Sequence, residues 1–87
     1  MFVILVYDVQ SNRVGKMRKI SKKYLTPVQE SVFEGHLTES RLKSLKCEIR
    51  QLIDPETDSV ILYRSSGFGH PKKEQIGCVQ GNTGFIL

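Results

Sequence analysis

The sequence predicts an α+β sandwich, and three observations point to it. Residues 2 to 7, FVILVY, form a nearly continuous run of β-branched and aromatic residues. That is the pattern of a central strand covered on both faces or buried on a dimer axis. Two stretches, one beginning near Ser11 and one at Thr38, repeat apolar residues at helical spacing. A second strong strand pattern, SVILYR, occupies 59 to 64. With extended chain between the helices, the order is β-α-β-β-α-β, that of a ferredoxin-like sandwich with two helices on one face of an antiparallel sheet.

Taken in order, Ser11 or Asn12 is placed to cap a first helix running to about Tyr24. On it Val14, Met17, Ile20 and Tyr24 share one stripe. Pro27 ends that unit, and VQESVFEGHL follows as extended chain. Its parity switches, because Val28 and Val32 share one face while Phe33 and Leu37 share the other. A bulge or tight hairpin around Glu30 is therefore expected. Thr38 caps the second helix, where Leu42, Leu45, Ile49, Leu52 and Ile53 recur at helical spacing and Glu39 can pair with Lys43. Asp54-Pro55 stops it. Beyond Ser65, SSGFGHPKKEQ reads as a polar loop and IGCVQGNTGFIL as a short strand with a glycine-broken tail. Residues 1–87 form one domain, and 65–87 are its extra C-terminal strand and tail. That tail ends in Phe85, Ile86 and Leu87 and is expected to pack on the partner subunit or a larger protein.

Composition narrows the class. A chain of 87 residues is near the size at which one core barely suffices, which favours dimerisation. Hydrophobic content of 39% with 25% charged residues is ordinary for a folded domain. The longest apolar run is far short of the roughly 20 residues of a membrane helix. MFVILVYDV lacks the layout of a signal peptide, so a cytoplasmic protein with no membrane partner is expected. Cys47 and Cys78 have neither metal-ligand spacing nor disulfide density and are expected to pack as small apolar thiols. The net charge of +4 is concentrated. Arg13, Lys16, Arg18, Lys19, Lys22 and Lys23 lie between Val9 and Gln29, and all nine acidic residues lie elsewhere. A one-sided basic helix suits a polyanion such as nucleic acid. It argues against a regulatory domain for a small metabolite, which would not need six cations.

No Ser-His-Asp arrangement, metal-binding Cys/His cluster or phosphate loop is present in the sequence. The GxG of SGFGH lacks the helix and spacing of a nucleotide fingerprint. His36 and His70 read as surface histidines. Asp8 stands apart, because aspartate is disfavoured in strands yet here continues the most hydrophobic segment of the chain. Two readings stand: a strand-end residue capping the turn, or a functional carboxylate lining a cleft. One carboxylate is a poor magnesium site by itself. A two-fold dimer with its axis near the end of the first strand would bring two copies of Asp8 to one hydrated ion, flanked by the two basic helices.

The block LVYDV with its Arg/Lys helix, then VQESVFEGHLTESRLKSL, then DPETDSVILYR, resembles the small CRISPR-associated adaptation endonuclease family. This is the second, smaller core adaptation protein and the partner of the integrase subunit. The likeness runs from Met1 to about Arg64. It implies a ferredoxin-like homodimer whose last strand packs on the other subunit. It also implies a metal (Mg, or Mn) held by Asp8 at the dimer axis, with Tyr7, Arg13, Ser31 and Phe33 close to the site. Members are described as metal-dependent nucleases acting on single-stranded RNA or duplex DNA, and as bridges between integrase dimers during spacer acquisition. Two functions are therefore expected to compete: a magnesium-dependent endonuclease, and a non-catalytic DNA-binding adaptor gripping nucleic acid through the basic helix.

Overall fold

The structure, a computed structural model, describes residues 1–67 and 69–78. Its elements are β1 (Phe2–Asp8), α1 (Ser11–Tyr24), β2 (Thr26–Gln29), β3 (Val32–His36), α2 (Glu39–Leu52), β4 (Ser59–Ser65) and β5 (Lys72–Gly77). The sheet order is β2-β3-β1-β4-β5. β1 lies between β3 and β4 and is antiparallel to both. This is the expected ferredoxin-like arrangement, extended by a fifth strand on the β4 edge.

Alternation along β1 divides the sheet into two unlike faces. Val3, Leu5 and Tyr7 point into the core with Phe33, Val60 and Leu62, beneath Met17 of α1 and Leu42, Leu45 and Ile49 of α2. The opposite face carries Phe2, Ile4, Val6, Ile61 and Tyr63, all half-exposed, and no described element covers it. Asp8 closes this second series at the end of β1 and is exposed.

Local chemistry explains most boundaries. The Thr38 hydroxyl accepts the Arg41 N–H at 3.1 Å and caps α2 as expected. β2 and β3 form a tight hairpin turning at Glu30 and Ser31. Its register shifts between Pro27 and Gln29, which accounts for the parity switch in the sequence. Five expectations need correction. Ser11 begins α1 and neither it nor Asn12 caps it: Gln10 occupies the cap position with no side-chain bond of its own. Val14 is 41% exposed, and the buried line of α1 runs through Met17 and Ser21. Ser21 is tolerated there because its hydroxyl donates to the Met17 carbonyl at 2.9 Å. Glu39 meets Arg64 of β4, at 3.3 Å, and not Lys43. In addition, β5 starts inside KKEQ, where pairing with β4 from Arg64–Lys72 to Ser59–Gly77 makes a strand of a polar segment. Such composition is usual for a sheet edge. The fifth concerns Cys47, which does not pack as a small apolar residue but is exposed on α2. The expected packing of the 85–87 tail lies outside the described residues.

Because α1 is buried along Met17 and Ser21, Val14→Ala should change stability by less than about 0.5 kcal/mol. Leu45→Ala, which removes a fully buried side chain, should cost about 2–5 kcal/mol. Urea unfolding of both variants checks the assignment of faces.

Candidate functional site

The carboxyl end of β1 gathers the features on which function is expected to rest. Asp8 is in register with Ser59, the first residue of β4. Its neighbour Tyr7 projects to the other side of the sheet, 5% exposed, stacked on Phe33 with ring centroids 6.1 Å apart. The Tyr7 hydroxyl donates to the Glu30 carbonyl at 3.1 Å, and the Tyr7 N–H donates to the Ser31 carbonyl at 3.1 Å. Burial pushes the phenol above its ordinary pKa, with the Arg18 charge partly opposing. Tyr7 therefore ties β1 to the β2–β3 turn and is not poised to ionise. Phe33 is fully buried beneath the Arg18 guanidinium, which lies 5.5 Å from its ring centre and donates to the Glu30 carbonyl at 3.2 Å.

Arg13 is also committed. Its Nη2 donates to Asp58 Oδ1 at 3.1 Å and to the Thr57 hydroxyl at 3.3 Å, and its Nε donates to Asp58 Oδ2. Asp58 is completely buried. Its carboxylate further accepts the Gln10 N–H and the Asp54 N–H, each at 2.9 Å. Four N–H groups thus surround one buried charge, which is what a carboxylate removed from water requires. The Arg13 guanidinium, followed by the two backbone donors, holds this carboxyl far below the ordinary carboxylate range despite its burial. Little in the sequence signals this role, since an aspartate after a Pro-containing turn reads as a turn residue.

Asp8 is thus the sequence-predicted site residue left exposed on the open face, while Tyr7 and Phe33 point inward. Arg13 is bound to Asp58, and Ser31 contacts β1 through its backbone. The basic residues of α1 divide similarly. Lys23 pairs with Glu48, which Tyr24 also contacts. Lys16, Lys19 and Lys22 are exposed, and no ion pair among the described residues involves them. Lys16, Lys19 and Lys23 rim a shallow hollow of about 440 Å³ floored by Ile20 and Leu52. It lies on the helical layer, across the sheet from Asp8. The basic stripe and the carboxylate do not converge within one chain. His36 packs edge-on against Phe2, and His70 lines a small hollow with Arg64, Ser66 and Lys72.

Among the described residues, no group of three or more His, Cys, Asp or Glu could hold a metal. No helix there is long and apolar enough to cross a membrane. Asp8 offers one carboxylate. That suits magnesium only as part of a set, since the ion takes one or two carboxylates and fills its octahedron with waters and phosphate oxygens.

These features define a small ferredoxin-like protein with a solvent-facing carboxylate at the end of its central strand and a basic first helix. The chain belongs to the family described as CRISPR associated protein Cas2, whose profile matches residues 1–68. It is 44% identical over 87 residues to the CRISPR-associated endoribonuclease Cas2 of Thermotoga maritima, covering 100% of both chains. It is 48% identical over 87 residues to the protein of the same name from Dictyoglomus turgidum, again covering 100% of both. Among solved structures, Streptococcus pyogenes Cas2 matches with a TM-score of 0.70 and 32% identity, over 76% of this chain and 87% of that one.

The Asp58 carboxylate yields a pH prediction with a definite sign. Its native pKa lies below the ordinary value of 3.8, so its contribution is fully present above that value and is lost as pH falls toward the native pKa. Asp58→Asn should cost on the order of 2–4 kcal/mol at pH 7. The gap between wild type and variant should stay flat down to about pH 5 and narrow below about pH 4. Urea midpoints measured across that range decide it.

Proposed function

We propose that this protein is a metal-dependent endonuclease of CRISPR adaptation, working as a homodimer in which two copies of Asp8 share one magnesium ion. The observation that carries the reading is the placement of Asp8. It ends a row of half-exposed apolar residues (Phe2, Ile4, Val6) on the one sheet face that the helices leave open. A second copy laid on that face by a two-fold axis passing near the end of β1 would bury the apolar row and bring the two carboxylates together. One chain alone lacks a metal-binding set among its described residues. The names of its relatives as endoribonucleases support hydrolysis of RNA.

Within this reading each residue has a stated role. Asp8 holds the ion, with manganese as an alternative to magnesium. When bound, the ion supplies Lewis-acid chemistry at a scissile phosphodiester. Tyr7 and Ser31 hold the end of β1 against the β2–β3 turn, and Phe33 with Arg18 packs the layer beneath them. Lys16, Lys19 and Lys22 attract the polyanion through the phosphate backbone without reading sequence.

A second reading has its own observation. The lysine stripe lies across the sheet from Asp8, so it can grip duplex backbone while taking no part in chemistry. In that case the protein is an adaptor that bridges integrase dimers, and Asp8 is dispensable.

Incubation with labelled single-stranded RNA and duplex DNA separates the two. Under the nuclease reading, wild type cuts with magnesium and not with chelator, and Asp8→Asn loses at least about 100-fold in rate while binding nucleic acid as before. Cleavage by neither protein, with salt-dependent duplex binding by both, selects the adaptor. Charge reversal of Lys16, Lys19 and Lys22 should weaken binding in either case. It should also flatten the salt dependence by about 0.9 log units for each phosphate no longer neutralised.

A further inference from the structure

Asp58 and its neighbour Ser59 hold the two ends of the chain segment that carries Asp8. Asp8 is paired across to Ser59, the residue immediately after Asp58. Two residues beyond Asp8, the Gln10 N–H ends on the Asp58 carboxylate at 2.9 Å. Gln10 is the cap residue of α1 and makes no side-chain cap bond, and the first turn of α1 contains no acidic residue. A carboxylate reaching over from just before β4 accepts the N–H of the cap residue itself, the donor that a Glu one turn into the helix takes in a capping box. It favours the positive end of α1 as well. The same carboxylate fixes the rotation of α1 about its axis through the fork of Arg13. The three-residue span from Asp8 to Gln10 is thus clamped at both ends by one short segment at the start of β4.

A third element is held at the same point. The Cys78 N–H donates to the Asp58 carbonyl at 2.7 Å. Gly77, with φ of 92°, comes so close that a Cβ there would lie 2.2 Å from that carbonyl oxygen. Only glycine satisfies both the conformation and the approach. So β5 ends against the backbone of the residue whose side chain sets the start of α1.

We infer that Asp58 is a positioning residue for the nuclease site: it fixes the direction in which Asp8 is presented, acting through Gln10 and Arg13 without touching substrate or metal. The inference rests on the nuclease reading of Asp8 given above. Partners that orient a metal-holding side chain commonly change metal affinity or activity by roughly 10–100-fold when removed. A merely structural aspartate would lower stability and leave the activity of each folded molecule alone.

The test compares wild type, Asp58→Asn, Arg13→Lys and Asp8→Asn well below their unfolding midpoints, with the folded fraction of each set by circular dichroism. Arg13→Lys keeps the charge and gives up the fork, so it serves if Asp58→Asn does not fold. Three quantities are measured per folded molecule: kcat for cleavage of single-stranded RNA, the magnesium concentration for half-maximal rate, and Kd for a duplex of roughly 20 base pairs, long enough for several phosphate contacts. Asp58→Asn or Arg13→Lys is expected to lower kcat roughly tenfold and raise the magnesium requirement several-fold, with duplex Kd within about twofold of wild type. A kcat and magnesium requirement within about twofold of wild type overturn the inference. If wild type cuts nothing, or Asp8→Asn cuts equally well, the nuclease reading is what fails. The positioning role is then decided by backbone amide shifts. Changes spreading from Asp8 through Arg13 support it, and changes confined to Gln10 and Asp54 overturn it.

Discussion

The bidentate contact between Arg13 and the buried Asp58 is the interaction on which the rest of this small structure depends. A carboxylate with no solvent access survives in its charged form only if its lone pairs are occupied. Here the occupants come from α1, from its cap residue and from the turn after α2. The requirement to satisfy one charge therefore joins the first helix, the second helix and the fourth strand at one end of the sheet. The same residue's carbonyl receives the end of β5. A chain of this size has limited apolar area to fix such details, and a saturated polar knot supplies direction where core packing does not.

The sheet has two faces with different tasks. The helix side is a closed core, in which Tyr7 and Phe33 stack beneath Arg18. The open side keeps Ile4, Val6, Ile61 and Tyr63 half-exposed beside the carboxylate that ends β1. On the proposed reading, a second copy completes this face, and two aspartates of like charge meet there. Without a cation they repel, so the metal and the dimer are linked: magnesium strengthens association, and association creates the metal site.

Much of this is legible in the sequence, for identifiable reasons. β1, α2 and β4 follow from strong periodicity, and the β2–β3 turn follows from the parity switch around Glu30. Periodicity misplaces the stripe on α1 because Ser21, a polar residue, is buried by bonding back to Met17, which leaves Val14 outside. Composition starts β5 too late because a polar edge strand is defined by its pairing with β4, a long-range fact that local residue types do not carry. The opposite directions of Tyr7 and Asp8 follow from strand alternation alone. The engagement of Arg13 does not, since its partner lies 45 residues away in a segment that reads as a plain turn.

On the proposed reading two chains share one ion through Asp8. The most direct measurement is the stoichiometry of manganese binding, by calorimetry, to wild type and Asp8→Asn at neutral pH, with sedimentation of the same samples. The account predicts one ion per two chains for wild type, tighter dimerisation when the ion is present, and neither effect in Asp8→Asn. One ion per chain, or binding that survives in Asp8→Asn, would contradict it.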